Sequence, residues 1–521
     1  MEKSLWCKFL WIVAVFLLIF LWIVYPSDRC VLNFSTGAVN FSKTHQERVR
    51  DLVNIWSETL YGVMNKSANL DLDSLSYAPH IQDCKRSGEL HAKLDGRGEN
   101  GKWPPWSLSQ GSNLDSSEVE IIMDQMFYIN NTVPSLNIPW ILGGDEENLP
   151  LTRLVQHDLW LNQHPKDCSN ARFLMADWFS QQTPTSIGVG SELVFLSAMF
   201  SMAVMQKRVL VTKAYHGANH SGCLGLDHAR WSCYFVPEAS SECIARALEL
   251  SSQKEPWDQG LLVNFDHNHG WTVPRLWGEP WKRIEPSVEL DGVLMADVNG
   301  NNERRWWRAQ VFRYLMRFRS EYLCNLLNVA RNEAFGEAAA RLILKNYPQG
   351  NWNSNNHSSH SESPMEANLW SSYGPWIPRP LVSIHVRQGD KNIDMEVHPF
   401  KDYMKLAMRL RKKFPHINRV WLSTEMQNVI DESKEYEGWN FFFTDIKRQV
   451  GATRMAEYMA SLGKRKNFEN SYVNLLMAAD CDFFVGVLGS TWSYAIDCLR
   501  MTSGKVKAGF LTVNPVNYLL R

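Results

Sequence analysis

From Leu381 to Ser493 the chain alternates short apolar runs with amphipathic stretches, and this rhythm constrains its fold more than any other feature. Strand-like runs begin at Leu381, Val420, Phe441 and Phe483, while helical spacing covers Phe400 to Phe414, the neighbourhood of Tyr472 and the stretch from Ser490. Strands separated by helices pair in parallel, and the helices cover the faces of the sheet. A Rossmann-like parallel sheet is the expected result. An earlier helix-to-strand step, a helix after Gly190 and a strand over Arg208 to Thr212, marks another α/β layer. Single cores rarely grow past ~250–300 residues, so a chain of 521 is expected to form two lobes. Their expected bounds are 151–373 and 374–521. Asn351 to Pro364, NWNSNNHSSHSESP, has a loop composition with almost no apolar side chains and falls just before that boundary.

The segment LVSIHVRQGDK, Leu381 to Lys391, brings His385, Arg387, Asp390 and Lys391 together at the carboxyl end of a buried strand. Open α/β sheets bind their ligands at that end. An arginine and a lysine there suit a phosphate. The competing reading of the same residues is a surface ion pair between Arg387 and Asp390.

Composition narrows the partners. The formal net charge is −1 and the pI near 6.9, with no run of interleaved basic and aromatic residues, so nucleic acid is not an expected partner. The 22 tryptophans are best read as core-filling rings. From Phe9 to Ser27 no residue is charged, a length close to the ~20 residues that cross a bilayer. Residues 1–27 are therefore read as a short tail and a single membrane anchor. Lys3 and Lys8 before it and Asp28 after it place the remainder on the lumenal side. Acceptor triplets for N-glycosylation begin at Asn33, Asn40, Asn65, Asn130, Asn219 and Asn356, consistent with that side. None of the 10 cysteines has CxxC spacing, which favours scattered disulfides over zinc. Residues 28–150 read as a stem: apolar positions Val49, Val53, Trp56, Leu60 and Met64 define one amphipathic helix, followed by an irregular, partly structured collar.

The block Ile384 to Tyr403, IHVRQGDKNIDMEVHPFKDY, resembles the donor-binding signature of the α1,6-fucosyltransferases. Further segments are similar in the same order: DCSNARFL (Asp167 to Leu174), the Gly-rich turn and helix from Gly188 to Val211, WSCYFVPEASSEC (Trp231 to Cys243), WWRAQVFRYLMRF (Trp306 to Phe318) and CDFFVGVLGSTWS (Cys481 to Ser493). The resemblance covers roughly Asp167 to Phe510. It implies a two-lobed, GT-B-like glycosyltransferase anchored in the Golgi membrane with its catalytic region lumenal. That enzyme would move L-fucose with inversion from GDP-fucose to a glycan or glycoprotein hydroxyl, α1,6 linkage being the default. It also implies a disulfide between Cys168 and Cys243, and homodimerisation through the stem, although the helix here is short. The family's animal members continue into a small SH3-like domain with no counterpart after Asn514, so acceptor recognition transfers least.

The chemistry follows from the leaving group. A nucleoside diphosphate gathers charge as the glycosyl bond breaks, and directed donors must stabilise it. Arg387 offers a bidentate fork. Backbone N–H groups at Gly188, Gly190 and Ser191, and again at Ser490 and Thr491, open helices and can cradle phosphate. By resemblance His385 lies beside the guanine, and Asn474 stands where the family has a base-gripping aspartate. Gln388 replaces a second arginine of the diphosphate site. The acidic loop supplies two candidates for the general base, Asp394 and Glu396, with Glu396 favoured for its reach. Lys391 is expected to hold phosphate or relay the proton, and Asp390 to orient Lys391. No metal or other cofactor is expected. The triplets Asp71-Leu72-Asp73 and Asp480-Cys481-Asp482 are read as structural, and Asp297 to Asn301 departs from a calcium loop. Two rival readings stay open: another nucleotide-sugar transferase, and an inactive lumenal binding protein.

Overall fold

The computed structural model describes residues 44–65, 75, 78–96, 149–177, 188–266, 270–284, 288–295, 300–346, 375–393, 395–451, 453–502 and 510–515. Phe9 to Ser27, Asp71 to Asp73, Asp297 and Asp394 lie outside these. Among the described residues no helix is long and apolar enough to cross a membrane. The chain divides into two compact units, Met1–Glu47 and Arg48–Arg521. In the first, Thr44 and Glu47 form a capping box: the Thr44 N–H donates to Glu47 Oε2 at 2.7 Å, and the Glu47 N–H donates back to Thr44 Oγ1 at 3.3 Å. The helix His45–Met64 starts at this box.

Two sheets organise the second unit. β1 (Phe173–Asp177), β2 (Val209–Ala214) and β3 (Leu262–Asn264) form a parallel three-stranded sheet in the order β2-β1-β3. A seven-stranded sheet follows from β4 (Val288–Leu290), β5 (Val293–Met295), β6 (Leu381–His385), β7 (Arg419–Ser423), β8 (Asn440–Phe442), β9 (Phe483–Gly486) and β10 (Phe510–Thr512). Its order is β5-β4-β10-β9-β6-β7-β8, parallel throughout except for the β4/β5 hairpin. From β6 the chain steps outward through β7 to β8, then returns to place β9 and β10 on the other side. That is the doubly wound arrangement, and the reversal puts a crevice between the carboxyl ends of β6 and β9. β6 is buried along its whole length, as a strand covered on both faces must be.

The lobes are less separate than the sequence implies. β4 and β5 come from the stretch read as the first lobe, yet they extend the second sheet, and residues 48–521 form one compact unit. The cause is a shared core in which Leu196, Phe200, Trp306, Tyr314, Tyr472 and Leu499 all take part. The stem is also drawn in. Val49, Trp56 and Leu60 pack against Ala339, Ala340 and Ile343 of the helix Glu321–Asn346, where small alanines leave room for the Trp56 ring. Full burial of such an apolar side chain contributes ~1.5–3 kcal/mol. A second stem helix, Cys84–Asp95, is tied to the same long helix by the Cys84–Cys324 disulfide. Cys168–Cys243, the pairing the resemblance implies, is formed, and Cys223–Cys233 is a third bond.

Candidate functional site

A cleft of about 350 Å³ opens at the carboxyl ends of β6, β7 and β9. Gly188, Gly190, Ser191, His385, Arg387, Asp390, Lys391, Asn474, Ser490 and Thr491 all line it. The residues picked from separate segments of sequence therefore converge on one place. Two helix N-termini meet there, Val189–Met205 and Thr491–Met501. A Cβ on Gly190 would stand 3.1 Å from the Thr491 backbone, a tight contact that glycine avoids at this junction. Ser191 Oγ lies 3.3 Å from Thr491 Oγ1 across the junction. Of the three backbone donors expected on the first helix, the Ser191 N–H is already bonded to the Gly188 carbonyl at 2.9 Å.

Arg387 is held on two sides. It pairs with Glu425, donates from one terminal nitrogen to Asp390 Oδ1 at 3.0 Å and from the other to the Gln388 carbonyl at 2.8 Å. The Arg387–Asp390 pair is therefore real but not a surface one, since the arginine side chain is 8% exposed. The second Asp390 oxygen accepts from the Met455 N–H at 2.8 Å. Burial pushes the Asp390 carboxyl up, but the Met455 N–H and the Arg387 guanidinium outweigh it and hold it below its usual range. Asp390 thus orients Arg387 by direct contact, with the Lys391 charge a weaker influence on it. Among the described lining residues Arg387 and Lys391 are balanced by Asp390 and Glu425. Attraction for an anion must come from directed N–H groups, not from net charge.

His385 is buried, with Nδ1 2.8 Å from Ser493 Oγ. Burial, helped by Arg387, lowers its pKa from 6.5 to about 3, so the ring is neutral near neutrality. Asn474 uses its carbonyl inside the protein: Trp421 Nε1 donates to it at 3.1 Å and Ser423 Oγ at 2.5 Å. Only its NH₂ remains to meet a ligand, and that group donates. Gln388 and Glu396 are not among the lining residues. The pleat explains Gln388: beyond β6 alternate residues face opposite sides, so Arg387 points to the cleft and Gln388 donates from Nε2 to the His398 carbonyl at 3.0 Å. Its expected place in a diphosphate site is not kept. Glu396 is exposed on the segment leading to the helix Phe400–Lys413.

No protein-family model matches this chain, and no curated protein does. Among solved structures it is similar to the crystal structure of NodZ alpha-1,6-fucosyltransferase soaked with GDP-fucose, at 14% identity over 63% of this chain and 93% of that one, with a TM-score of 0.29. A superposition that loose carries no argument about function.

Sequence reasoning missed Glu425, Tyr458, Asn470 and Ser471, all on the cleft wall. Glu425 follows the carboxyl end of β7, and the rule that pointed to Arg387 applies equally there. It also missed the buried chain behind the site, in which Tyr215 donates to Glu192 at 2.8 Å and meets the Tyr472 hydroxyl at 2.6 Å. Burial pushes the Glu192 carboxyl up despite those bonds. This chain links the first turn of Val189–Met205 to Lys464–Asp480, the helix that carries Asn474. The Asp480-Cys481-Asp482 triplet lies at the opposite end of β9. Asp480 faces Arg319 and Arg331, each at 3.8 Å, while Asp482 pairs with Arg379.

Proposed function

We propose that the cleft holds the diphosphate of a nucleotide sugar and that the chain is a glycosyltransferase, with GDP-fucose as donor and inversion at the sugar. The observation that carries this reading is the convergence of an oriented Arg387, Lys391 and two helix N-termini at the switch point of a doubly wound sheet. In the reaction a hydroxyl of a glycan or glycoprotein attacks the anomeric carbon. The glycosyl C–O bond breaks, GDP leaves with the electron pair, and a carboxylate takes the hydroxyl proton. Glu396 or Asp394 fills that last role. The cationic and N–H donors supply the charge stabilisation, so no metal or other cofactor is invoked. Three disulfides among the described residues suit an oxidising Golgi lumen, reached through the apolar anchor. Linkage by default is α1,6, and a homodimer is compatible with the stem.

Asn474 favours a second reading. With its carbonyl occupied it cannot accept from the guanine N–H groups, and its NH₂ can donate only to a carbonyl oxygen, which uracil offers as readily as guanine does, so the contact that would single out guanine is lacking. Another nucleotide sugar then becomes the donor. Titrating the detergent-solubilised chain calorimetrically with a panel of nucleotide sugars, and following donor hydrolysis, decides between them. Preference for GDP-fucose supports the first reading, and preference for a uridine donor the second. A chain that binds a donor but neither transfers nor hydrolyses it is a lumenal binding protein. No binding by any donor overturns the assignment.

A further inference from the structure

A second, larger cleft of about 860 Å³ lies at the amino ends of β6, β7 and β9, the far end of the same strands. Its wall carries Arg341, Lys345, Arg379, Arg411, Lys413 and Arg419, with His416 beside them, and no aspartate or glutamate among the described residues. Arg341 pairs with the exposed Glu337 one turn earlier on its own helix, Arg379 pairs with the buried Asp482, and Arg419 donates to the Arg379 carbonyl at 3.3 Å. Arg411 lies over the Trp439 ring at 5.1 Å, which fixes its direction without neutralising it. Lys413 and His416 are exposed.

Helix geometry accounts for part of the cluster. Lys345, Arg411 and Lys413 sit in the last turns of Glu321–Asn346 and Phe400–Lys413, where cations complement the negative end of the helix. It does not account for Arg379 and Arg419, which come from strand starts, for Arg341, or for their arrangement around one concavity. Trp376 and Phe414 add flat apolar walls between the charges. Ligand sites of ~300–1,000 Å³ take small molecules or short oligomers, so the cleft is too confined for a membrane plane or a duplex. It is also far larger than one phosphate requires.

We propose that this cleft binds a saccharide-sized anion bearing several sulfate or phosphate esters. Guanidinium forks grip the ester oxygens in pairs, and the aromatic walls cover the ring faces. The site stands apart from the donor cleft and does not depend on the reading of that cleft.

The test is calorimetric titration of the detergent-solubilised full chain with two probes, a sulfated heparin tetrasaccharide and inositol hexakisphosphate, alongside a neutral dextran oligomer. Binding of at least one charged probe, none of dextran, and weakening as salt rises are expected. The tighter of the two probes tells a sulfated chain from a phosphorylated small molecule. Arg411→Glu combined with Lys413→Glu should weaken the bound probe by ~10-fold or more, since reversal turns attraction into repulsion at two contacts. If that variant misfolds, Lys413→Ala and Lys345→Ala singly should each weaken it by a few-fold. The proposal is overturned if neither probe binds the wild-type chain, or if binding is indifferent to these substitutions, which would leave the cations as helix caps only.

Discussion

The two ends of the central strands solve opposite electrostatic problems. At the carboxyl ends every described charge has a counterpart: Arg387 sits between Asp390 and Glu425, and Lys391 completes a balanced set. At the amino ends six Arg or Lys side chains line one wall with no acid among its described lining residues, and the acids that pair with Arg341 and Arg379, Glu337 and Asp482, lie outside that lining. A balanced cluster gives up long-range attraction and gains fixed direction, which suits a site where atoms must meet in one geometry. An unbalanced cluster attracts anions from a distance but is weakened by salt. The comparison therefore turns on whether function at each end depends on geometry or on charge.

The largest effect should come from the base. Glu396→Gln should lower turnover by ~10²–10⁴ while leaving donor binding unchanged, with Asp394→Asn milder. Steady-state rates alongside donor titrations test this, and the reverse ranking would transfer the role to Asp394. Next comes Arg387→Lys, which keeps the charge and loses the fork. Turnover should fall by ~10²–10³ if geometry rules the carboxyl end. A near-normal Arg387→Lys enzyme would erase the contrast between the two ends. Glu425→Gln should be gentler, weakening donor affinity ~10-fold through the loss of a charged hydrogen bond that aims Arg387.

Acidity probes the same end through stability. His385 is held neutral, with its pKa lowered by burial to about 3, while the unfolded chain takes up that proton below about 6.5. Its contribution is fully present above 6.5 and declines as pH falls from there toward 3. His80 and His164, each lowered to about 4 by burial, act in the same direction. Unfolding midpoints should drop steadily between neutrality and pH 4, and His385→Gln should make the slope shallower. A flat profile would mean that these rings are not buried neutral. The smallest effect belongs to the amino end, where Lys413→Ala should change stability by no more than about 0.5 kcal/mol and leave turnover untouched.

Much of this was legible in the sequence because it rests on local patterns. The buried run at Leu381, the periodicity from Phe400 and the glycines at 188 and 190 each carry their signal within a few residues. What escaped depends on long-range pairing. Glu425 matters only because Arg387 lies beside it, 38 residues away along the chain. Nothing local says that Val288 to Met295 joins a sheet whose other strands begin at Leu381, or that a stem tryptophan docks against Ala339 and Ala340. Gln388 failed for a different reason: a resemblance places a residue in sequence, while the pleat decides which side it faces. The carbonyl of Asn474 is likewise consumed by Trp421 and Ser423, neighbours that appear only once β7 lies under its helix.

The Cys84–Cys324 bond joins cysteines 240 positions apart and encloses the whole first sheet. A protease that cuts the backbone once anywhere between those two cysteines does not separate the pieces. Whatever precedes Cys84, the apolar Phe9 to Ser27 segment included, stays joined to the body carrying the cleft at the carboxyl end of β6 until the bond is reduced. Release of a free fragment carrying that cleft from such a nick would require a reductant as well as a protease. On a gel, a nicked molecule should migrate as one species without thiol and as two with it.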